Sequence, residues 1–150
     1  MFINKIAIAS DHAGYHLKEK IKTHLQSKGV EVKDFGTEGP EPVDYPDFGH
    51  ELAEAIERGE ADYGISICGS GNGISITANK HQGIRAAICW SEEITRLARA
   101  HNNANICSLP ARFVDHDLAL KFVDIFLSTA FDKGRHEMRI KKIPLERDNK

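Results

Sequence analysis

The chain has 150 residues, of which 41% are hydrophobic and 28% are charged, and its formal net charge is −2. This length and balance predict one soluble globular domain, residues 1–150, with a hydrophobic core of its own. The sequence has no run or stripe of lysine and arginine, so it lacks the charge pattern of a nucleic-acid-binding protein.

The apolar run at the start of the chain is too short for a signal peptide, and no later stretch approaches a membrane span. We therefore expect a cytoplasmic protein. The three cysteines, Cys68, Cys89 and Cys107, argue against a disulfide framework because their number is odd and no two are close in sequence. No C-x-x-C or H-E-x-x-H motif is present, which gives little support to metal binding.

The first half of the chain alternates apolar, strand-like runs with amphipathic helices. The predicted order is a strand at 5–10, a helix ending at Gly29, a strand at 30–35, a loop at 36–46, a helix at 47–58 and a strand at 63–68. Leu17, Ile21 and Leu25 recur every fourth residue and so share one face of the first helix. The loop is predicted from its glycines and prolines.

The second half continues the alternation after a glycine-rich loop. The predicted elements are a helix at 74–79, a strand at 84–89, a helix at 91–101, a strand at 104–109 and a helix at 115–128. Ser91 has the residue type preferred as a helix N-cap. The remaining segment, from about residue 131 to 150, is basic, and we expect it to pack on the domain or on a partner subunit.

Strands that alternate with helices predict right-handed crossovers and a parallel sheet with helices on both faces. The expected fold is therefore a three-layer α/β/α sandwich of the α/β class, Rossmann-like, with a five-stranded parallel sheet. Ligands of such folds bind beyond the carboxyl ends of the strands. This rule directs attention to residues 10–12, to residues 68–73 and to the region of Arg112.

The glycine-rich loop joins a strand to a helix and can direct backbone N–H groups at an anion. It consists of Gly69, Ser70, Gly71, Asn72 and Gly73. The loop lacks the lysine ending of a Walker motif, and it does not follow the first strand as a dinucleotide fingerprint would. Cys68, directly before it, is either a nucleophile or base in this environment, or a small apolar strand residue.

Two further groups of polar residues lie at the carboxyl end of a predicted strand or in the C-terminal segment. Asp11 and His12 follow the first strand and fit either a ligand site or simple helix capping. Arg135 and Arg139 are four residues apart and share a face if the segment is helical. Arginine forks suit phosphate oxygens, and Arg112 could join them, although a solvated basic face is the alternative.

Five motifs together resemble the family of type B ribose-5-phosphate isomerases, which also includes galactose-6-phosphate and allose-6-phosphate isomerases. They are S-D-H-A-G at 10–14, D-Y-P-D at 44–47, C-G-S-G-N-G-I-S-I-x-A-N-K at 68–80, A-R-x-H-N-x-A-N at 98–105 and G-R-H-x-x-R at 134–139. The resemblance runs in order from about residue 4 to 143. Five motifs in register are far more specific than any one of them.

The resemblance implies an aldose–ketose isomerase that uses no metal and no organic cofactor. Cys68 matches the base that moves a proton between C1 and C2 through an enediolate, and the amides of Gly69 to Gly73 would hold the developing oxyanion. His101 matches a residue that helps to open the sugar ring, and Tyr45 matches a position near the substrate. The residues that match positions binding hydroxyls or phosphate are Asp11, His12, Asn102, Arg112, Arg135 and Arg139.

Some family members lack the cysteine and use a glutamate just after the loop. That position is Ile74 here, so Cys68 is the candidate base. The implied reaction interconverts ribose 5-phosphate and ribulose 5-phosphate in the pentose phosphate pathway. The alternatives are an isomerase of allose or galactose 6-phosphate and a non-catalytic sugar-phosphate-binding domain. A cysteine phosphatase or a redox protein is not supported, because the chain has neither the C-x5-R motif of the first nor the C-x-x-C motif of the second.

His101 raises a geometric question, because it ends a helix that precedes a strand. This position predicts that His101 lies at the opposite edge of the sheet from Cys68. We therefore expect a homodimer or homotetramer in which a second subunit supplies His101 and Asn102 to a composite site. Without the resemblance, His101 would be interpreted as a cation that interacts with the dipole of its helix.

Overall fold

The structure is a computed structural model that describes residues 5–145. The strands are β1 Lys5–Ser10, β2 Glu31–Asp34, β3 Tyr63–Cys68, β4 Ala86–Ile88 and β5 Ile106–Pro110. The helices are α1 Tyr15–Ser27, α2 Tyr45–Glu57, α3 Asn72–Ala78, α4 Glu92–Ala100, α5 His116–Ser128 and α6 Arg135–Ile140, with a 3-10 turn at His12–Gly14.

The five strands form one parallel sheet in the order β2-β1-β3-β5-β4. Ser10 is in register with Ile67, and Cys68 is in register with Pro110. The carboxyl ends of β1, β3 and β5 therefore lie side by side at one edge. The predicted α/β class and five-stranded parallel sheet are confirmed.

Alternate residues of each strand point to opposite faces of the sheet, and each face is covered by helices. On one face, Ile67 belongs to an apolar cluster that includes Leu17 of α1 and Phe122 of α5. On the other face, small residues such as Ala9 form a second cluster with Leu52 of α2 and with α3. Burial of these two apolar sets produces the three layers.

Several boundaries differ from the sequence prediction. Helix α2 begins at Tyr45, two residues early, because proline is well tolerated in a first helical turn. Helix α3 begins at Asn72, so the last part of the predicted glycine loop is helical. Strand β4 is shorter than predicted and β5 is shifted by up to two residues. The tail contains the additional helix α6.

The C-terminal segment, as far as residue 145, makes hydrogen bonds to its own chain. The Asp132 N–H donates to the Ala100 carbonyl at 2.9 Å, and the Gln82 side chain bonds the backbone of Leu145. The rest of the segment predicted at 131–150 lies outside the described residues. Among the helices of the described part, none has the length and hydropathy needed to cross a membrane.

Candidate active site

Cys68 ends β3 at the edge where the polar segments meet, and it is 4% exposed. A turn of three residues separates it from the first turn of α3. Gly71, the N-cap of that helix, has φ of 77°, and a Cβ there would lie 3.3 Å from the backbone of Leu109 and Pro110. Only glycine fits a left-handed residue this close to another strand. The turn can therefore bring several backbone amides near the sulfur.

The Ser70 hydroxyl oxygen accepts hydrogen bonds from the backbone and side-chain nitrogens of Asn72, both at 3.2 Å. These bonds brace the turn from within. The N–H groups of a first helical turn have no acceptor within the helix. Apart from the Asn72 N–H, which donates to Ser70, the amides of the turn and of the start of α3 are suited to an anionic oxygen.

Asp11 caps the 3-10 turn, and its Oδ1 accepts from the Gly14 N–H at 3.2 Å. Asp11 therefore caps the turn with one carboxylate oxygen, and its other oxygen is available for a ligand. His12 Nδ1 accepts from the Val43 N–H at 3.1 Å. This bond assigns the neutral tautomer in which Nε2 carries the proton and can donate to a ligand.

Arg112 lies against the glycine turn. Its backbone N–H donates to the Gly69 carbonyl at 3.0 Å, and a Cβ at Gly69 would lie 3.3 Å from the guanidinium. The side chain is exposed and makes no hydrogen bond to a side chain or carbonyl of residues 5–145. Its charge is consequently available to an anionic substrate. Tyr45 is close as well, because a Cβ at Gly73 would lie 2.6 Å from its ring.

A second polar cluster lines a separate cleft. It contains His101, Asn102, Arg135, His136 and Arg139. The two arginines are brought together by α6, on which they are four residues apart, as the sequence predicted for a helical segment.

His101 is the C-cap of α4, and its ring stacks on that of His136 with centroids 4.2 Å apart and planes 13° apart. The Nε2 atom of His101 lies 3.9 Å from Oδ2 of Asp132. Desolvation and the nearby charges of His101 and Arg135 lower the pKa of His136. His136 was not predicted as a site residue, although it stands between the arginines in the G-R-H-x-x-R motif.

His101, Asp132 and His136 have ligand atoms within 4.8 Å of one another, which raises the question of a metal ion. The nearly parallel imidazole planes direct the nitrogen lone pairs side by side rather than at one point. Arg135 and Arg139 also add positive charge to the cleft. This arrangement suits an anion such as phosphate better than a cation.

The two clusters lie at opposite edges of the sheet within one chain. Cys68 is level with the end of β5, whereas His101 precedes the start of β5 at Ile106. The four residue steps of β5 span roughly 13 Å. The structure therefore gathers Cys68, the glycine turn, Asp11, His12 and Arg112 at one edge. It gathers His101, Asn102, Arg135 and Arg139 at the other.

The other two cysteines belong to the core. Cys89 and Cys107 are fully buried, and the Cys89 thiol donates a hydrogen bond to the Ala87 carbonyl at 3.5 Å. The neighbouring Cys89 thiol, together with burial, raises the pKa of Cys107 well above its usual value. Cys68 is the cysteine that lies at the glycine turn.

Comparison with known proteins agrees with this geometry. The family model described as Ribose/Galactose Isomerase matches residues 6–143. Ribose-5-phosphate isomerase B of Escherichia coli is 44% identical over 141 residues, which are 94% of this chain and 95% of that protein.

Two solved structures are also similar. A ribose 5-phosphate isomerase of Thermotoga maritima has a TM-score of 0.93 and 55% identity, covering 96% of this chain and 99% of that one. Ribose-5-phosphate isomerase B of Mycoplasma genitalium, solved with bound ribulose-5-phosphate, has a TM-score of 0.88 and 44% identity, covering 93% of each chain. A family match over nearly the whole chain, a shared fold and the thiol beside a glycine turn lead to one conclusion: the chain belongs to the ribose/galactose isomerase family.

Proposed function

We propose that this protein is an aldose–ketose isomerase that interconverts ribose 5-phosphate and ribulose 5-phosphate through an enediolate. The observation that carries the proposal is Cys68 at the end of β3, next to a glycine turn and the exposed side chain of Arg112. The relatives named for this reaction support the same substrate. The cytoplasmic location and the place in the pentose phosphate pathway stay predictions.

Cys68 acts as the base that takes the proton from C2 of the open-chain aldose and returns it to C1, while the hydroxyl proton passes from O2 to O1 at the enediolate stage. Removal of this proton places negative charge on the carbonyl oxygen O1, and amides within Gly69 to Gly73 other than that of Asn72 donate hydrogen bonds to it. Loss of one such donor typically costs about 3 kcal/mol of transition-state stabilisation. The same donors stabilise negative charge on the sulfur, so the base and the oxyanion share one environment.

Asp11 and His12 bind sugar hydroxyls at the same edge. His12 is held by the Val43 N–H so that its Nε2–H is directed away from that bond and is free to donate. Its assigned tautomer suits a hydroxyl or phosphate oxygen, both of which accept hydrogen bonds. Arg112 supplies a positive charge beside the glycine turn.

His101 opens the furanose ring by proton transfer, and Asn102, Arg135 and Arg139 bind the substrate with it. A single chain holds these groups at the far edge of the sheet from Cys68, so a second copy must supply them. We therefore propose a homodimer, alone or within a homotetramer, with a composite site at each contact between subunits. No metal or organic cofactor takes part in the proposed reaction.

The experiment is an assay of ketose formation by the purified protein, in the presence of EDTA, from ribose 5-phosphate and separately from allose 6-phosphate. We expect a clearly higher kcat/KM for the pentose and the loss of proton exchange at C2 in Cys68→Ala, with substrate still bound. Preference for the hexose would keep the mechanism and change the substrate. A folded protein that binds both sugars and converts neither would be a binding domain instead.

A further inference from the structure

The helix that carries Arg135 and Arg139, the two arginines proposed to bind phosphate, is held by few apolar contacts. Helix α6 has six residues, and none of them is buried against the described part of the chain. Hydrophobic packing therefore does not fix the positions of Arg135 and Arg139. Long side chains on a mobile element lose more entropy when they bind an anion, which weakens affinity.

After α6 the chain returns to the domain and meets Gln82. The Gln82 Nε2 donates to the Leu145 carbonyl at 2.9 Å, and its Oε1 accepts from the Leu145 N–H at 3.2 Å. One side chain thus bonds both backbone groups of one residue. Between these bonds and α6, Ile143 lies in a groove that Ile84 and Ala104 also line.

The turn that carries Gln82 is itself tied to the domain on both sides. The Gly83 N–H donates to Oε2 of Glu57 at 3.0 Å, and the Asn105 amide donates to the Gly83 carbonyl at 2.9 Å. On the other side, His81 Nδ1 lies 3.0 Å from Oε1 of Glu57. Gln82 is therefore a fixed anchor for the more exposed segment that it holds.

At its other end, α6 is held by polar and stacking contacts. The Asp132 N–H donates to the Ala100 carbonyl, and His136 stacks on His101. The helix is therefore fastened near its first turn and beyond its last turn. Release of the second attachment would leave Arg139 and the following residues free to move.

We propose that Gln82 is a positioning residue, which holds the C-terminal segment so that Arg135 and Arg139 are preorganised for the phosphate group. This assignment rests on the proposed function, because that function makes the two arginines phosphate ligands. Gln82 acts through α6 and has no contact with the reacting carbons. Its removal should weaken phosphate binding and leave the proton transfer at Cys68 intact.

The test compares Gln82→Ala with Gln26→Ala, which removes an exposed glutamine of α1 that has no side-chain hydrogen bond to residues 5–145. The first readout is the rate at which trypsin cleaves the folded protein after Arg139, Lys141 and Lys142. We expect it to rise about five-fold in Gln82→Ala, as two solvent-exposed hydrogen bonds are lost, and to stay unchanged in Gln26→Ala.

The second readout is phosphate affinity. We expect the KM for ribose 5-phosphate and the inhibition constant of inorganic phosphate to rise about five-fold together in Gln82→Ala, with kcat unchanged. Gln82→Glu keeps the acceptor and loses the donor, so an intermediate effect is expected.

Unchanged cleavage would overturn the attachment by Gln82, and faster cleavage with unchanged phosphate inhibition would overturn its effect on the arginines. If the wild-type protein isomerises neither sugar, the trypsin assay still tests the attachment. Direct calorimetric titration with inorganic phosphate then replaces the kinetic readout. Failure of the proposed function is in this way separated from failure of the role assigned to Gln82.

Discussion

At the scale of single residues, the three cysteines of this chain differ in accessibility and position. Cys68 is 4% exposed beside the glycine turn, whereas Cys89 and Cys107 are 0% exposed free thiols in the core. Alkylation requires a thiolate that the reagent can reach. The proposed mechanism places the base at the thiol that a small molecule can approach most readily.

We therefore expect iodoacetamide to modify Cys68 before the other two cysteines and to abolish activity in step with that modification. Ribose 5-phosphate should slow the reaction, because substrate occupies the same space. Peptide mass mapping at increasing times measures the order of labelling, and an assay of the same samples measures activity. Full activity in protein that is alkylated at Cys68 would show that Cys68 is not the base.

Gly73 is a second position at which a single added atom, the Cβ of alanine, would change the geometry of the candidate site. It lies in the first turn of α3, and a Cβ there would lie 2.6 Å from the ring of Tyr45, closer than side chains normally approach. Alanine favours a helix over glycine by about 1 kcal/mol. We expect Gly73→Ala to fold, because Tyr45 is 40% exposed and can move aside.

Displacement of the ring should lower kcat/KM by about ten-fold if Tyr45 lies near the substrate, as the resemblance to the family implies, because misplacement of such groups is costly. Ile76→Ala is the matched control, as Ile76 lies on the same helix and is 61% exposed. Thermal unfolding and steady-state kinetics of both variants provide the measurements. Wild-type kinetics in a folded Gly73→Ala protein would mean that the ring position does not affect turnover.

At the scale of secondary-structure elements, an ion cluster joins α1 to the end of β2 beside the candidate site. The Lys18 ammonium is 1% exposed and lies 2.6 Å from Oδ2 of Asp34, and Lys22 lies 2.8 Å from the same atom. Burial alone would raise the pKa of Asp34, but the hydrogen bonds from Lys18 and Lys22 outweigh it and lower the pKa below its usual value of 3.8.

A carboxylate whose pKa is lowered in the folded state stabilises that state above the unfolded pKa, and this stabilisation is lost as the pH falls through the folded pKa. We therefore expect the contribution of Asp34 to be complete at pH 7 and to disappear below its usual value of 3.8. Asp34→Asn should lower the free energy of unfolding at neutral pH by about 3 kcal/mol, because Lys18 stays buried with one ion partner fewer.

Urea unfolding of the wild type and Asp34→Asn, at neutral pH and at the lowest pH where both fold, measures the difference between them. The difference should shrink in acid. Glu93→Gln is the control, since Glu93 forms a solvent-exposed pair with Arg96 and should have no measurable effect. A difference that is equal at both pH values would show that the charge of Asp34 is not its source.

The elements also show what the sequence could and could not predict. The strand β3 and the helix α5 follow the prediction closely, because their apolar periods coincide with their burial. The start of α3 was placed two residues late, since its N-cap, Gly71, gives no side-chain signal. Helix α6 was identified only as a conditional helix, because long-range polar contacts hold it in place of an apolar face.

At the scale of the whole molecule, the sequence predicted the edge at which Cys68 lies because parallel strands align their carboxyl ends. It also placed His101 at the other edge from the order of helix and strand alone. It did not predict that His136 stacks on His101 or that Val43 holds His12. The two contacts join residues 35 and 31 positions apart, and no local pattern encodes such a pairing.

The separation of the two clusters leads to a quantitative expectation for mixed assemblies. Cys68→Ala and His101→Ala should each be inactive as a pure protein, because every composite site then lacks one group. In a hybrid dimer, one site combines the intact Cys68 of one subunit with the intact His101 of the other. Random exchange of equal amounts makes half of the dimers hybrid, so recovery of about a quarter of the wild-type activity is expected.

The measurement is an isomerase assay of the two variants, alone and after they are mixed and allowed to exchange subunits. Exchange is checked independently by affinity capture of one tagged variant followed by mass analysis of the other. Activity that returns in proportion to the captured hybrid supports a site shared between subunits. If hybrids form and the mixture stays as inactive as its components, Cys68 and His101 act within one chain, and the protein must reach a conformation that brings opposite edges of its sheet together.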